Sequence, residues 1–415
     1  MSAQSMVSDK TESTEQAEPT EQSEASERPS QRMIVQEVQA YIENHLPRYL
    51  KELSDICAID SGTYHKVGVD EVALYFAGRM RGLGMDVTMF ENERWGNDVY
   101  GVLYGKGQGN VLLLGHMDTV YPVGIGAARP VRVEGDRVLG PGVYDMKGCI
   151  LSSIYAIEAL VALDYYDFNE IRILCVSDEE ISIRHSPPLI WQACQGCESV
   201  LVLEGARDNG DLVTARKGGS WYKLSARGHS AHAGVEPEKG CNAILELAHQ
   251  IVQFQSLHGW REGVTINVGR ISGGTAANVV PDYAEVFIDL RFHLKEDRLA
   301  TEQRWHEMME DQQVPGVELC LETDSDNRDP MVCTPGNLML AHRAQDIAQQ
   351  LGFTVDHAAT GGISDANYAS DFGFPALDGL GPIGGLDHSP NEYIELSSVA
   401  PRAALLAGLM ISVGM

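Results

Sequence analysis

The sequence predicts an α/β protein, a mixed and mostly parallel sheet flanked by helices, with an α+β ferredoxin-like unit inserted into it. Short apolar runs repeatedly end in polar residues. Val111-Leu112-Leu113-Leu114 leads through Gly115 to His116 and Asp118; the run from Ile171 to Val176 leads to Asp178-Glu179-Glu180; the run from Ser199 to Leu203 leads to Glu204. Bounded by turn residues, such runs read as buried strands. They alternate with helical-period segments through Glu204, the pattern of a sheet covered on both faces. After about Thr214 the order becomes β-α-β-β-α-β, the ferredoxin-like signature.

Taken in order, residues 1–32 are Ser, Glu, Thr, Gln and Pro with almost no large apolar residue. They bury too little to offset their ordering entropy and read as a disordered acidic tail. Ile34, Val38, Ile42, Leu46, Tyr49 and Leu53 fall at helical spacing, and a second helix is expected over 71–83. Strands are expected near 86–90 and 98–105, then the strand ending in His116, then a helix over 146–163. In the inserted unit, strands fall near 220–226, 264–271, 284–294 and 317–322, with helices over 242–255 and 296–311. The chain then returns through a helix over 337–351, the loop 360–365, a weak strand at 374–377 and a glycine-rich loop that delivers His388. A closing helix starts near Ser397. The expected division is a tail at 1–32, a discontinuous metal-binding catalytic domain at 33–214 and 329–415, and an inserted domain at 215–328.

The length of 415 residues exceeds what one core usually reaches. A net charge of −28 argues against nucleic-acid and anionic-membrane partners, which require basic patches. No apolar run approaches the ~18 residues of a membrane span, and no secretory signal pattern is seen at the start. Cys149, Cys175, Cys241 and Cys320 sit in apolar segments, which suits reduced, buried thiols. A cytoplasmic protein is expected. Cys194 and Cys197 form one CxxC with no second pair to close a tetrahedral site.

His116, Asp145, Glu180, Glu204 and His388 all leave strand ends or a helix start on what should be one sheet edge. Read as ordinary solvated loop residues, these acids would crowd that edge with nothing to relieve their repulsion. Imidazole and carboxylate without thiolate suit Zn, Co or Mn, with Zn the default. Five protein ligands exceed what one open catalytic zinc takes, but they suit two metals about 3.5–4 Å apart that share a carboxylate. Asp145, lying between the two sets, is the natural bridge. Of the adjacent pair Glu179 and Glu180, one can ligate while the other acts as general base and acid on an activated water. Asp118 is placed to accept the free N–H of His116 and fix its tautomer.

Further stretches add to these: Gly115-His116-Met117-Asp118-Thr119-Val120, Tyr144-Asp145-Met146-Lys147-Gly148, Asp178-Glu179-Glu180, Gly228-His229-Ser230-Ala231-His232-Ala233-Gly234, Asn278-Val279-Val280-Pro281, Asp289-Leu290-Arg291 and His388-Ser389. Together, from about residue 35 to the C-terminus, they resemble the M20 family of metallopeptidases, and most of all its glutamate carboxypeptidase branch.

The resemblance implies a zinc-peptidase sheet and two Zn²⁺ per subunit, with Co²⁺ or Mn²⁺ as substitutes. His116 and Glu204 would hold one ion, Glu180 and His388 the other, with Asp145 bridging, Glu179 as general base and Asp118 behind His116. The inserted domain would be a dimerisation lid, giving a homodimer in which His232 reaches the partner's site as an oxyanion donor. Asn278 and Arg291 would grip the substrate's terminal carboxylate. The implied activity is hydrolysis of the amide beside a free C-terminal carboxylate, on a small peptide or N-acyl amino acid. An N-acyl-amino-acid deacylase of the acetylornithine or succinyl-diaminopimelate type is the alternative, and a non-catalytic binding protein on the same scaffold a third. Two departures stand out. Ile181-Ser182-Ile183-Arg184-His185 follows the Glu pair where the family turns through Gly-Ser, and Cys149 replaces a common second Gly.

Overall fold

Alternating side chains along the His116 strand feed two separate cores. In the computed structural model, which describes residues 30–181, 185–323 and 327–412, Val111 and Leu113 point into one apolar cluster and Leu112 and Leu114 into another. Burial on both faces is why this strand is apolar throughout rather than alternating. Residues 1–29 of the expected tail and the departure at Ser182-Ile183-Arg184 lie outside the described residues.

The central sheet has six strands in the order Asp86–Phe90, Asp98–Tyr104, Glu170–Val176, Asn110–His116, Ser199–Val202 and Ala376–Leu377. The last four run parallel to one another, while Asp98–Tyr104 is antiparallel to both of its neighbours. The larger core is covered by the helices Gln31–Cys57, Lys66–Gly82, Lys147–Ala162, Pro335–Leu351 and Leu396–Ile411. On the other face lie Pro187–Cys194 and Ala366–Asp371, two short helices that the sequence reading did not anticipate.

A second sheet has the order Thr265–Gly273, Tyr283–Phe292, Gly218–Arg227 and Glu318–Thr323, all antiparallel. Helices Ala243–Gln255 and Lys295–Glu310 pack on it around their own core, in which Trp305 stacks on Phe254 with ring centroids 4.9 Å apart. This is the β-α-β-β-α-β unit. Asn242 starts its first helix by accepting the Leu245 N–H, as N-cap residues do.

Short elements escaped the sequence reading. Arg132–Glu134, Arg137–Leu139, Gly384–Gly385 and Tyr393–Glu395 form a small four-stranded sheet, and Leu212–Arg216 pairs in parallel with His357–Thr360. The expected strand at 374–377 shrinks to Ala376–Leu377. Of the thiols expected to be buried, Cys149 and Cys175 are, but Cys241 is half-buried and Cys320 exposed, because Cys320 faces outward on an edge strand. Among the described residues no helix is long and apolar enough to cross a membrane.

Candidate metal centre and active site

Three parallel strands end at one edge, beyond which ligands bind in sheets of this kind. His116 closes its strand, Glu179 and Glu180 form a 3₁₀ turn (Glu179–Ile181) just past Val176, and Glu204 lies two residues past Val202. Asp145 comes from the turn before Lys147–Ala162, and His388 from the loop after Gly384–Gly385. Asp145 sits at the centre. Its Oδ1 is 3.0 Å from His116 Nε2, and its Oδ2 is 3.1 Å from His388 Nε2. Glu204 Oε1 lies 3.7 Å from His116 Nε2, and Glu180 Oε2 lies 3.2 Å from His388 Nε2. The five residues anticipated as ligands therefore converge around Asp145. The Asp145–Met146 peptide is cis, and His388 holds a left-handed backbone with φ of 58°. After Glu204, Gly205 has no room for a Cβ, which would meet the Tyr144 ring at 1.9 Å.

Asp118 is fully buried and ties the two ends of the site together. Its Oδ1 lies 3.3 Å from His116 Nδ1. Its carboxylate also accepts the Thr63 hydroxyl at 2.6 Å and the backbone N–H groups of Glu179 and Glu180, each at 3.2 Å. Glu392, which the sequence reading passed over, does the same for the Asp145 turn. Its two oxygens accept the backbone N–H groups of Gly142, Tyr144 and Asp145 and the Tyr121 hydroxyl.

The donor set fits divalent cations on physical grounds. Burial and the negative charge of Asp145 push Glu180 up to about 8, and the same causes push Glu204 well above the usual carboxylate range. Burial would raise Asp145 too, but bonds to His116 and His388 hold it below that range. Burial would lower His116, yet its bonds to Asp118 and Asp145 raise it well above the ordinary histidine value. Several buried acids thus compete here for positive charge. Glu180 Oε1 is buried with no hydrogen-bond partner, and buried polar atoms without partners are uncommon. Possible ligand atoms of His116, Asp145 and Glu180 lie within 4.8 Å of one another, as do those of Asp145, Asp387 and His388.

A cavity of about 540 Å³ opens over this cluster and is walled by Arg207, Arg216, Arg291 and Arg328 as well as by the acids. Arg291 lies over the Trp221 ring and is bonded through two nitrogens to Asp289. Arg216 pairs with Asp378 at 2.7 Å. Buried Arg328 bonds both the carboxylate and the backbone oxygen of Glu179. Nearby Asp365 is raised to about 8 by burial and by the charge of Glu179. His232 and Asn278 are not in this cavity. Both are exposed, on a small ribbon in which His232 pairs with Val279 and the Ala233 N–H bonds the Asn278 oxygen. Arg328, Arg216 and Glu392 carried no sequence motif.

Fold and site define a hydrolytic enzyme, and the chain is similar to metallopeptidases and amidohydrolases of the M20 class. Residues 214–317 match the peptidase dimerisation domain M20_dimer. Among individual relatives, carboxypeptidase G2 of Pseudomonas sp. (strain RS-16) is 28% identical over 373 residues, covering 89% of this chain and 90% of that protein. Succinyl-diaminopimelate desuccinylase of Stenotrophomonas maltophilia is 26% identical over 325 residues, covering 74% and 84%. The fold is also that of aminopeptidase PepT from Bacillus cereus, with a TM-score of 0.74 and 22% identity over 89% of this chain and 99% of that one. An M20 family metallo-carboxypeptidase from Sulfolobus solfataricus gives a TM-score of 0.72 at 17% identity, over 88% and 98%.

Proposed function

We propose that the protein is a two-metal amidohydrolase that cleaves the amide beside a free C-terminal carboxylate, with a small peptide or N-acyl amino acid as substrate. The observation that carries this reading is the two-sided position of Asp145 between His116 and His388. His116 and Glu204 would hold one ion, Glu180 and His388 the other, with Asp145 shared; zinc is the expected metal. Such a pair supplies Lewis acidity and lowers the pKa of water. Glu179, beside Glu180 and free of the two imidazoles, is the group to take the water's proton and return it to the leaving amine. Asp118 holds the His116 ring and the Glu179–Glu180 backbone in register. Arg291, with Asn278 from a second subunit, would bind the terminal carboxylate, for which a guanidinium fork is suited.

The ferredoxin-like unit, domain 215–328 of a catalytic body at 33–214 and 329–415, would pair two chains and carry His232 to the partner's site. Its edge strand Thr265–Gly273 is largely exposed, the kind of edge that a second copy covers. A cytoplasmic location fits this reading.

Metal analysis of the purified protein, together with hydrolysis of matched N-acyl amino acids bearing a free or an amidated carboxylate, tests it. Equal turnover of the two sinks the carboxylate requirement. The likeness to a succinyl-diaminopimelate desuccinylase supports a deacylase as the second reading. It uses the same groups and is separated by turnover of N-succinyl or N-acetyl diamino acids in preference to peptides.

A further inference from the structure

We propose that a second cavity, built by the loops that follow His116 and Glu180, binds an apolar acyl group of the substrate, either aromatic or long-chain aliphatic. The proposal rests on the amide-hydrolysis reading above and specifies which acyl groups it accepts. The cavity holds about 440 Å³ and shares Glu180 with the cavity over the metal cluster. That volume lies within the ~300–1,000 Å³ of small-molecule sites.

The two cavities differ in chemistry. Four arginines wall the one over the cluster. The second is walled by Tyr64, Val120, Tyr121, Pro122, Val123 and Ile181, and among its described lining residues the shared Glu180 is the one acid, His65 the one basic group, and there is no Arg or Lys. Tyr64 is 78% exposed, Val123 63% and Val120 42%. Large apolar side chains gathered in one exposed place mark a binding surface more often than scattered ones do. An amide lying across the cluster would put its carboxylate end among the arginines and its acyl end against these residues.

The cavity is also fixed relative to the cluster. The Thr63 hydroxyl bonds Asp118 at 2.6 Å, the Thr119 N–H bonds the Ser61 oxygen at 2.9 Å, and the Tyr121 hydroxyl bonds the Ser389 oxygen at 2.9 Å. The Tyr64 ring meets Trp95 edge-on at 5.6 Å. Val120 and Tyr121 follow His116 by four and five residues, and Ile181 directly follows Glu180. The wall that reads the acyl group is therefore continuous with the segments that carry the proposed ligands.

The test measures kcat/KM for the N-acetyl, N-hexanoyl and N-benzoyl forms of one amino acid. Wild type should favour hexanoyl and benzoyl over acetyl by about 10-fold or more, as a few buried carbons do in an apolar pocket. In Val123→Asp and Tyr64→Ala that ratio should collapse towards one. Acetyl used as well as benzoyl by wild type, or a ratio unchanged in both variants, overturns the proposal. If no N-acyl amino acid is hydrolysed, the functional reading falls, and calorimetry still examines the cavity itself. Tighter binding of 3-phenylpropionate than of acetate, lost in Val123→Asp, supports it, and equal binding overturns it. A Val123→Asp protein that changes from dimer to monomer in sedimentation while keeping its acyl ratio would assign this face to a second copy and overturn it too.

Discussion

Arg328 grips Glu179 twice, once through the carboxylate and once through the backbone oxygen. Arg328 is buried, lies over the Tyr368 ring at 5.0 Å and pairs through its backbone with Gly219. It fixes the direction of the proposed base from a segment 149 residues further on. Arg328→Ala leaves the partly buried Glu179 carboxylate without its cation, a loss of at most the ~3–5 kcal/mol of fully buried pairs. Denaturant titration should show this as a lowered midpoint. Arg328→Lys should rescue only part of it, since an ammonium cannot reproduce the two-pronged grip.

Glu179→Gln separates base from ligand. Metal content should stay near two per subunit while turnover falls by about 10²–10⁴, the range for losing general acid–base catalysis. Metal lost together with activity would make Glu179 a ligand and reverse the roles assigned to the Glu pair.

Asp118 supports His116 on one side and the Glu179–Glu180 turn on the other. Asp118→Asn should weaken metal affinity by about 10–100-fold, the usual effect of losing a carboxylate behind a ligating histidine. Competition with a chromophoric chelator measures it. Unchanged affinity would mean that the Thr63 and backbone contacts, not the histidine, account for its burial.

His232 lies on the exposed ribbon and outside its own chain's cavity. Mixing His232→Ala with Glu179→Gln subunits, each nearly inactive, should restore one working site per mixed dimer if His232 serves the partner. No recovery after verified subunit exchange, or an active monomer by sedimentation, ends the shared-site reading.

Away from the site, Glu158 joins three helices by accepting Tyr41 at 2.8 Å and Arg79 at 2.7 Å and by pairing with Arg48. Burial would raise its pKa, but bonds from Arg48, Arg79 and Tyr41 outweigh this and depress it. A depressed folded-state value means a stabilising contribution that is present above the unfolded pKa of about 4.3 and lost as pH falls through the folded value. The gap in Tm between wild type and Glu158→Gln should therefore be full near neutral pH and close on acidification. A gap that widens in acid contradicts the assignment.

His116, Glu180 and Glu204 were legible because each ends or follows an apolar run, where strand periodicity and the strand-end rule point to the same place. Asp145 was read from the helix start it precedes and His388 from its glycine-rich loop. The ferredoxin-like unit was legible from the order of its elements, since its longer strands alternate cleanly. Strands of two or three residues such as Gly384–Gly385 have too few positions for any period, so the small sheet was invisible. Arg328 and Glu392 were missed for another reason. Each acts on a group far away in the chain, and nothing local distinguishes a positioning residue from a surface one. Asp118 was legible only because it stands two residues from the histidine it supports.

His388 and Asp145 meet across 243 residues of chain, and the entire ferredoxin-like unit is made between them. At the usual ~5–20 residues per second of synthesis, about 12–50 s pass between the emergence of one and the other. During that interval the nascent chain carries Asp145, Glu180 and Glu204 without the imidazole that faces two of them, and its central sheet still lacks the strand Ala376–Leu377. The proposed ligand set is thus completed only after the whole ferredoxin-like unit has been made, so the nascent polypeptide passes through that interval without a finished site.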